Sequence, residues 1–347
     1  MKVLLIKTSS LGDLIHCMPA VNDLAQHRPD IELHWLVEEA FIGIPGWHPF
    51  VKKSFAYAQR RWRKSYFSRQ TRHEIRQLKK QLINEQYDAV IDAQGLLKSA
   101  LAARWLKAPK YGYDKHSIRE PLAANFYNKK FKCSLKQTAI SRNKQLLAWA
   151  FDYTATSSVS FGLKIIQPNN MLLPTEPYAI FLHGTNWESK VWPTSRWVDS
   201  AQFLISQGVK VFIPWSNEAE KLRAEDIAKS SGAQVLDKMS LHCLSYLLQH
   251  AKIVIGCDTG LSHITAALAT PTLALYGASN SELTGLVGNN VLSLQSSKSC
   301  SPCMKSVCPL TNNQSDIPCY QIEDIPNINN ILEQSLSGVP LSIDQYV

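Results

Sequence analysis

The sequence predicts an α/β protein built of two doubly wound domains with parallel sheets. Three observations carry this. The chain has 347 residues, and at roughly 100–200 residues per domain that length suggests two domains. Short β-branched runs alternate with amphipathic segments, the pattern of βαβ units. Two stretches also open alike, with an apolar strand running into a turn of small residues: Lys2–Ile6 into Thr8-Ser-Ser-Leu-Gly-Asp13, and Tyr178–Leu182 into His183-Gly-Thr-Asn186. With 45% hydrophobic and 19% charged residues, the composition is that of a globular chain and excludes a disordered one.

The elements follow in order. After the first strand comes a helix over Leu14–Gln26, a strand over Glu32–Val37, a helix over about Arg69–Glu85 and a strand over Ala89–Asp92. In the second of those helices Ile75, Leu78 and Leu82 keep helical spacing under a basic outer face. Thr154–Pro177, with Pro168, Pro174 and Pro177, reads as a linker. Beyond the second opening strand come a helix over Thr194–Ser206, a strand over Lys210–Pro214 and helices over Glu218–Ser230 and Ser240–Gln249. A strand over Ile253–Gly256, a helix over Leu261–Ala269 and a strand over Thr272–Tyr276 complete the series. Parallel sheets bind ligands at the carboxyl ends of their strands, so an active site is expected in the cleft between the two domains. No apolar run reaches the ~18 residues of a membrane span. Met1–Ile6 is too short for a signal-peptide core, and Lys7 and Asp13 follow it with no cleavage pattern. The expected location is cytoplasmic, with most of the eight cysteines reduced.

The formal charge of +9 is concentrated. Residues 51–80 hold eleven Lys/Arg and one acid, Glu74, whereas residues 155–347 hold 11 basic and 15 acidic side chains. One domain is therefore suited to an anionic partner and the other is not. Charge runs are also found as solvated faces or as nonspecific nucleic-acid contacts. Trp62, Tyr66 and Phe67 interleave with the cations as RNA-binding aromatics do, but no RNA-binding motif accompanies them. The expected partner is an acidic glycolipid at an anionic membrane surface, with no nucleic acid.

Asp13 lies just past the first strand, behind Ser9, Ser10 and Gly12. The turn lacks the G-x-G-x-x-G spacing of a dinucleotide site. Asp13 reads either as a helix cap or as a general base on an acceptor hydroxyl. In the second domain an apolar strand runs to Asp258-Thr259-Gly260, and a helix of small residues follows. Such a helix start offers free N–H groups and a positive dipole end to a phosphate, and Ser262 and His263 can add donors. Asp-Thr-Gly also occurs in aspartic proteases, but there it sits in an all-β fold. Lys190, following Thr185 after the domain's first strand, suits a diphosphate contact. Together these features fit a nucleotide-diphosphate donor.

Lys7-Thr-Ser-Ser-Leu-Gly-Asp13, Arg60-Arg-Trp-Arg-Lys64, Tyr87-Asp-Ala-Val-Ile-Asp-Ala-Gln94-Gly-Leu-Leu-Lys98-Ser99, Arg119-Glu-Pro-Leu-Ala, Lys190-Val-Trp-Pro and Asp258-Thr-Gly-Leu-Ser-His263 run in order over about residues 1–280. Together they resemble the lipopolysaccharide heptosyltransferases of glycosyltransferase family 9. The basic segment and residues 87–99 are similar to the branch that adds the first heptose. The resemblance implies a GT-B fold of two facing Rossmann-like domains, with residues 1–160 binding acceptor and 161–323 binding ADP-heptose. Residues 324–347 would form a helix packing back on the first domain. The implied reaction is inverting transfer of L-glycero-D-manno-heptose from ADP-heptose to Kdo of Kdo–lipid A, on the cytoplasmic face of the inner membrane and without an obligatory metal.

By the same resemblance Asp13 is the base. Lys190, Asp258, Thr259, Gly260 and His263, with Thr185, hold the donor. Met239 packs on adenine, and Glu220, or by a local gap Glu218, lies near the nucleotide sugar. Ser10, Arg60, Arg61, Arg63, Lys64, Lys98 and Arg119 form the acceptor set. An inverting transfer needs one base and cations on the departing diphosphate, which fits a single cleft carboxylate and the absence of Asp-x-Asp.

Cys300-Ser-Pro-Cys303, Cys308 and Cys319 depart from that branch and resemble the branch that adds the second heptose. Phosphorylated Kdo or the first heptose therefore stay open as acceptors. The four cysteines read as free thiols, a structural zinc site or a disulfide. Cys17, Cys133, Cys243 and Cys257 read as small apolar residues.

Overall fold

A computed structural model describes residues 1–311, 317–321 and 327–341. The chain divides into two units, Met1–Lys164 and Ile165–Val347. The boundary falls inside the expected linker. It lies a few residues past the expected one because the Lys164 amide donates to the Trp47 carbonyl at 2.8 Å and keeps the preceding stretch on the first unit.

Unit 1 contains β1 (Lys2–Ile6), α1 (Leu11–Ile15), α2 (Met18–His27), β2 (Glu32–Glu38), β3 (Val51–Tyr57), α3 (Gln59–Trp62) and α4 (Arg69–Asn84). β4 (Ala89–Asp92), α5 (Leu97–Ala103), β5 (Lys110–Tyr113), β6 (Lys129–Phe131) and α6 (Ala139–Phe151) follow. Its six strands lie in the order β3-β2-β1-β4-β5-β6, every pair parallel, with Val3 opposite Leu33 on one side and Ala89 on the other. The expected helix over Leu14–Gln26 is two helices, because Pro19 has no N–H to continue a ladder and sits instead in the first turn of α2. β1 is buried on both faces, as a central parallel strand must be. β3 alternates from Phe55 on, with Phe55 and Tyr57 inward, while Lys52 and Lys53 are both exposed at its start.

Unit 2 contains β7 (Tyr178–Leu182), α7 (Thr194–Ser206), β8 (Lys210–Ile213), α8 (Glu218–Ser231), β9 (Gln234–Val235) and α9 (Leu241–Gln249). β10 (Ile253–Cys257), α10 (Gly260–Ala267), β11 (Thr272–Tyr276), α11 (Ser281–Thr284), β12 (Val291–Gln295) and α12 (Ile328–Leu336) complete it. Its parallel sheet runs β12-β11-β10-β7-β8-β9. Phe181, Trp192, Trp197 and Leu204 anchor its largest core cluster.

The terminal helix corrects the sequence expectation. Ile328, Ile331 and Leu332 form one apolar stripe of α12 and are buried in unit 2's own core with Ile317 and Cys319. The Leu341 amide then donates to Asn290 Oδ1 at 2.9 Å. The stripe is thus already buried within unit 2. The remaining residues of that expectation, 324–326 and 342–347, lie outside the described residues.

Candidate active site

In both sheets the strand order reverses once, between β1 and β4 in unit 1 and between β7 and β10 in unit 2. That reversal leaves a crevice at the carboxyl strand ends, where α/β sheets bind ligands. Of the predicted residues, Ser10, Asp13 and Lys98 follow β1 and β4, and Thr185, Lys190, Asp258, Thr259, Gly260 and His263 follow β7 and β10.

In unit 1 the β1–α1 turn is tied to the β4–α5 loop. Gln94 Oε1 accepts from the amides of Thr8 and Ser9 at 2.8 and 3.1 Å. Lys7 Nζ donates to the Ala93 carbonyl at 2.9 Å and Lys98 Nζ to Ser9 Oγ at 3.2 Å. Buried Asp92 holds the loop by accepting from the amides of Gln94 and Gly95 and from the Tyr127 hydroxyl. Asp13 is the third residue of α1. Its Oδ2 accepts from Ser10 N at 2.6 Å and from Ser10 Oγ at 3.0 Å. Asp13 therefore caps the helix as one reading expected, and its carboxylate stays partly exposed. Burial pushes that carboxyl up, but the Lys7 ammonium and the Ser10 donors outweigh it, so its pKa lies below the ordinary carboxylate value. It is ionised at neutral pH and can accept a proton.

The basic segment divides in two. Arg60, Arg63 and Lys64 are exposed and make no ion pair among the described residues. Arg60 lies over the Phe41 ring. Arg61 instead bridges Glu39 at 2.9 Å and Glu74 at 2.8 Å, so its guanidinium joins α3 to α4. Trp62 is a core residue, 5% exposed, whose Nε1 donates to Glu74 Oε2 at 2.7 Å. This removes one of the three rings that an RNA-stacking reading requires. Tyr66 and Phe67 are 58% and 87% exposed and meet edge to face. Lys98 begins α5 beside Ser9. Arg119 is exposed on a loop held to that helix by Glu120, which accepts from the Leu97 amide at 2.6 Å.

In unit 2, Lys190 Nζ lies 2.6 Å from Asp258 Oδ2, and His263 Nε2 lies 3.6 Å from Asp258 Oδ1. All three side chains are largely buried, and Lys190 also lies 4.3 Å from the Trp187 ring centroid. Burial raises the Asp258 carboxyl, but His263 and Lys190 bring it down to about 2. Asp258 therefore fixes two cation-capable donors beside the start of α10, whose Thr259 N-cap makes no side-chain cap. Ser262 does not join them: its hydroxyl is buried and donates to the Cys257 carbonyl at 2.7 Å.

Across the crevice, Glu220 accepts from Ser216 N and Oγ at 2.7 and 2.6 Å. Its carboxylate stands 2.8 Å from where a Cβ on residue 184 would lie, so a side chain there would have to push the Glu220 carboxylate aside. Glu218 is exposed in the same helix turn, which puts Glu220 and not Glu218 against the Gly184-Thr185 turn. Thr185 Oγ1 accepts from the Trp187 amide at 3.4 Å. Met239 packs with Leu261 in an apolar cluster beside α10. His183, to which the sequence assigned no role, is fully buried, and burial holds its ring down to about 4, neutral at physiological pH.

Residues 75–313 match the profile of glycosyltransferase family 9 (heptosyltransferase). The chain is 41% identical to lipopolysaccharide heptosyltransferase 1 of Pseudomonas aeruginosa, over 93% of this chain and 92% of that one. The chain belongs to glycosyltransferase family 9. To lipopolysaccharide heptosyltransferase 1 of Escherichia coli K12 this family member is also 41% identical, over 84% of its own length and 92% of the relative's. The solved E. coli heptosyltransferase WaaC with ADP superposes with a TM-score of 0.81 at 35% identity, covering 98% of this chain and all of that one. The fold is thus of the GT-B type expected, and the chain is a heptosyltransferase. E. coli heptosyltransferase II shares the fold at 17% identity and a TM-score of 0.73.

Four site features were missed by the sequence reading. Gln94 stitches the two loops of unit 1. Lys190, Asp258 and His263 form one cluster. Arg61 is engaged by two acids, and Glu220 closes on Gly184. Only the last had a sequence signal, a glycine directly after a buried strand. Cys300, Cys303, Cys308 and Cys319 are free thiols, and among the described residues no three His, Cys, Asp or Glu side chains stand ready to hold a metal ion.

Proposed function

We propose that the chain transfers L-glycero-D-manno-heptose from ADP-heptose to Kdo of Kdo–lipid A in lipopolysaccharide inner-core synthesis, with inversion at the anomeric carbon. The observation that carries the reading is the Lys190–Asp258–His263 cluster beside the open start of α10. It offers an ammonium, an imidazole and free amides to a diphosphate, the charge a departing ADP develops. The neutralising role that a divalent ion fills in other transferases falls to these groups. Thr185, Glu220 and Met239 complete the donor side, with Glu220 toward the sugar and Met239 against the adenine. The E. coli WaaC structures with ADP and with ADP-2-deoxy-2-fluoro heptose support this donor.

Asp13 takes the proton of the attacking Kdo hydroxyl as the oxygen bonds to the anomeric carbon and ADP leaves. Ser10 and Lys98 hold the acceptor beside it. Arg60, Arg63, Lys64 and Arg119 meet its carboxylate and phosphate groups, while Arg61 serves α3 and α4. Among the described residues no helix is long and apolar enough to cross a membrane. Tyr66 and Phe67, flanked by Arg63, Lys64 and Arg69, suit contact with the headgroup region of an anionic membrane.

The 41% identity to first heptosyltransferases favours Kdo over the first heptose as acceptor. The test is an acceptor panel with ADP-heptose: Kdo–lipid A, its Kdo-phosphorylated form, and the same lipid already carrying one heptose. Turnover is expected on the first. No turnover on any Kdo-terminated lipid would overturn the reading.

A further inference from the structure

Gln94 carries donors that the turn it stitches does not use. Its Oε1 accepts from the amides of Thr8 and Ser9 at 2.8 and 3.1 Å and lies 3.3 Å from the Thr8 hydroxyl. Both amides are donors only, so the atom that faces them is the oxygen, and the partners themselves fix which way the side-chain amide points. Nε2 therefore turns away from the β1–α1 turn. It makes no hydrogen bond among the described residues, and in a half-buried side chain its N–H groups stay open to solvent.

The backbone beneath is held as firmly. Asp92 Oδ1 accepts from the Gln94 amide at 2.9 Å and the Gly95 amide at 3.1 Å, and the Tyr127 hydroxyl donates to Asp92 Oδ2 at 2.7 Å. Gly95 follows with a φ of +68°, which favours glycine, and a Cβ there would stand 2.8 Å from Ile118 Cγ2. Gln94 is thus fixed at the carboxyl end of β4 while its side chain reaches the end of β1. Its neighbours there are Lys98, whose Nζ donates to Ser9 Oγ at 3.2 Å, and Ser10, which donates to Asp13 through both its amide and its hydroxyl. An amide NH2 and an ammonium on one preorganised loop suit an anionic group.

We propose that Gln94 selects the acceptor: Nε2 donates to the carboxylate of the acidic acceptor sugar, beside Lys98, and so turns the attacking hydroxyl toward Asp13. Oε1 meanwhile keeps the turn of Asp13 in place. A carboxylate and a hydroxyl on one sugar ring move together, so holding the first positions the second. An amide also donates without adding a charge that would make Asp13 a weaker base. This inference rests on the acceptor reading above.

Gln94→Glu separates the proposal from a structural role alone. One carboxylate oxygen can still accept from Thr8 and Ser9, but the open end becomes an anion that repels a carboxylate. Kinetics are measured with Kdo–lipid A and with the same lipid whose acceptor Kdo carboxylate has been reduced to the alcohol. Gln94→Glu should keep the ADP-heptose Kd within about 2-fold and Tm within about 2 °C, and raise the KM for Kdo–lipid A by about 10–100-fold. On the reduced acceptor the same substitution should raise KM no more than about 3-fold. An unchanged acceptor KM in the folded variant, or equal losses on the two acceptors, overturns the proposal. Should Gln94→Glu fail to fold, the unaltered protein decides: its KM should be at least about 10-fold higher for the reduced acceptor than for Kdo–lipid A, and equal values overturn the proposal. A wild-type protein that turns over neither lipid overturns the acceptor reading itself and this inference with it, a result distinct from active wild type with an indifferent Gln94→Glu.

Discussion

The basic segment of unit 1 and the Lys190 cluster of unit 2 both offer positive charge, in opposite ways. Arg60, Arg63 and Lys64 are exposed and unpaired among the described residues. Lys190 is largely buried and already bonded to Asp258 at 2.6 Å. Exposed cations attract an anion from a distance but each contributes little, and salt screens them. A buried pair contributes no long-range field but fixes a donor in place, and removing one partner leaves an uncompensated charge. The first arrangement suits a large glycolipid met at a surface. The second suits a diphosphate that must be held in one orientation while it leaves.

The comparison can be broken at its reactive end first. Asp13→Ala should lower kcat by about 10²–10⁴ while ADP-heptose still binds; single-turnover rates and calorimetric donor binding check this, and retained kcat removes Asp13 as base. Next in size, Asp258→Ala should weaken ADP binding by roughly 10–100-fold, because Lys190 loses its buried partner. That loss should persist at high salt, whereas acceptor binding should weaken as salt rises.

A smaller effect concerns acid. Asp258's carboxyl is held at about 2 in the folded state, below its usual value near 4. Its contribution to stability is therefore fully present above the usual value and lost as pH falls through about 2. Thermal unfolding between pH 4 and pH 2 should steepen in the wild type and less in Asp258→Asn. The smallest effect is expected at Arg61, which looks like its neighbours in sequence but bridges Glu39 and Glu74 at the surface. Arg61→Ala should lower Tm by about 1–2 °C and leave the acceptor KM nearly unchanged. A rise in KM like that of Arg60→Ala would return Arg61 to the acceptor set.

What was legible in sequence follows the same division. β1, β10, β11, α4 and α7 declared themselves through uninterrupted apolar runs or helical spacing. β3 did not, because Lys52 and Lys53 sit side by side at its start and mask an alternation that begins only at Phe55. α12 was placed by family resemblance on the wrong unit, since an apolar stripe says that a helix is buried and not against what. Asp13, Lys190 and Asp258 were visible as polar residues in turns after apolar strands. Their partners were not: the bonds of Lys190 to Asp258 and of Arg61 to Glu39 join residues far apart in the chain. Local pattern identifies which residues stand at strand ends, and only the strand order decides which of them meet.

The central claim is that each unit holds its own substrate. A crossed measurement tests it directly: the acceptor KM and the ADP-heptose Kd, both determined for Arg60→Ala/Lys64→Ala and for Lys190→Ala. The first variant should raise the acceptor KM about 10-fold or more and leave donor Kd within about 2-fold; the second should do the reverse. Equal losses on both substrates in both variants would contradict it.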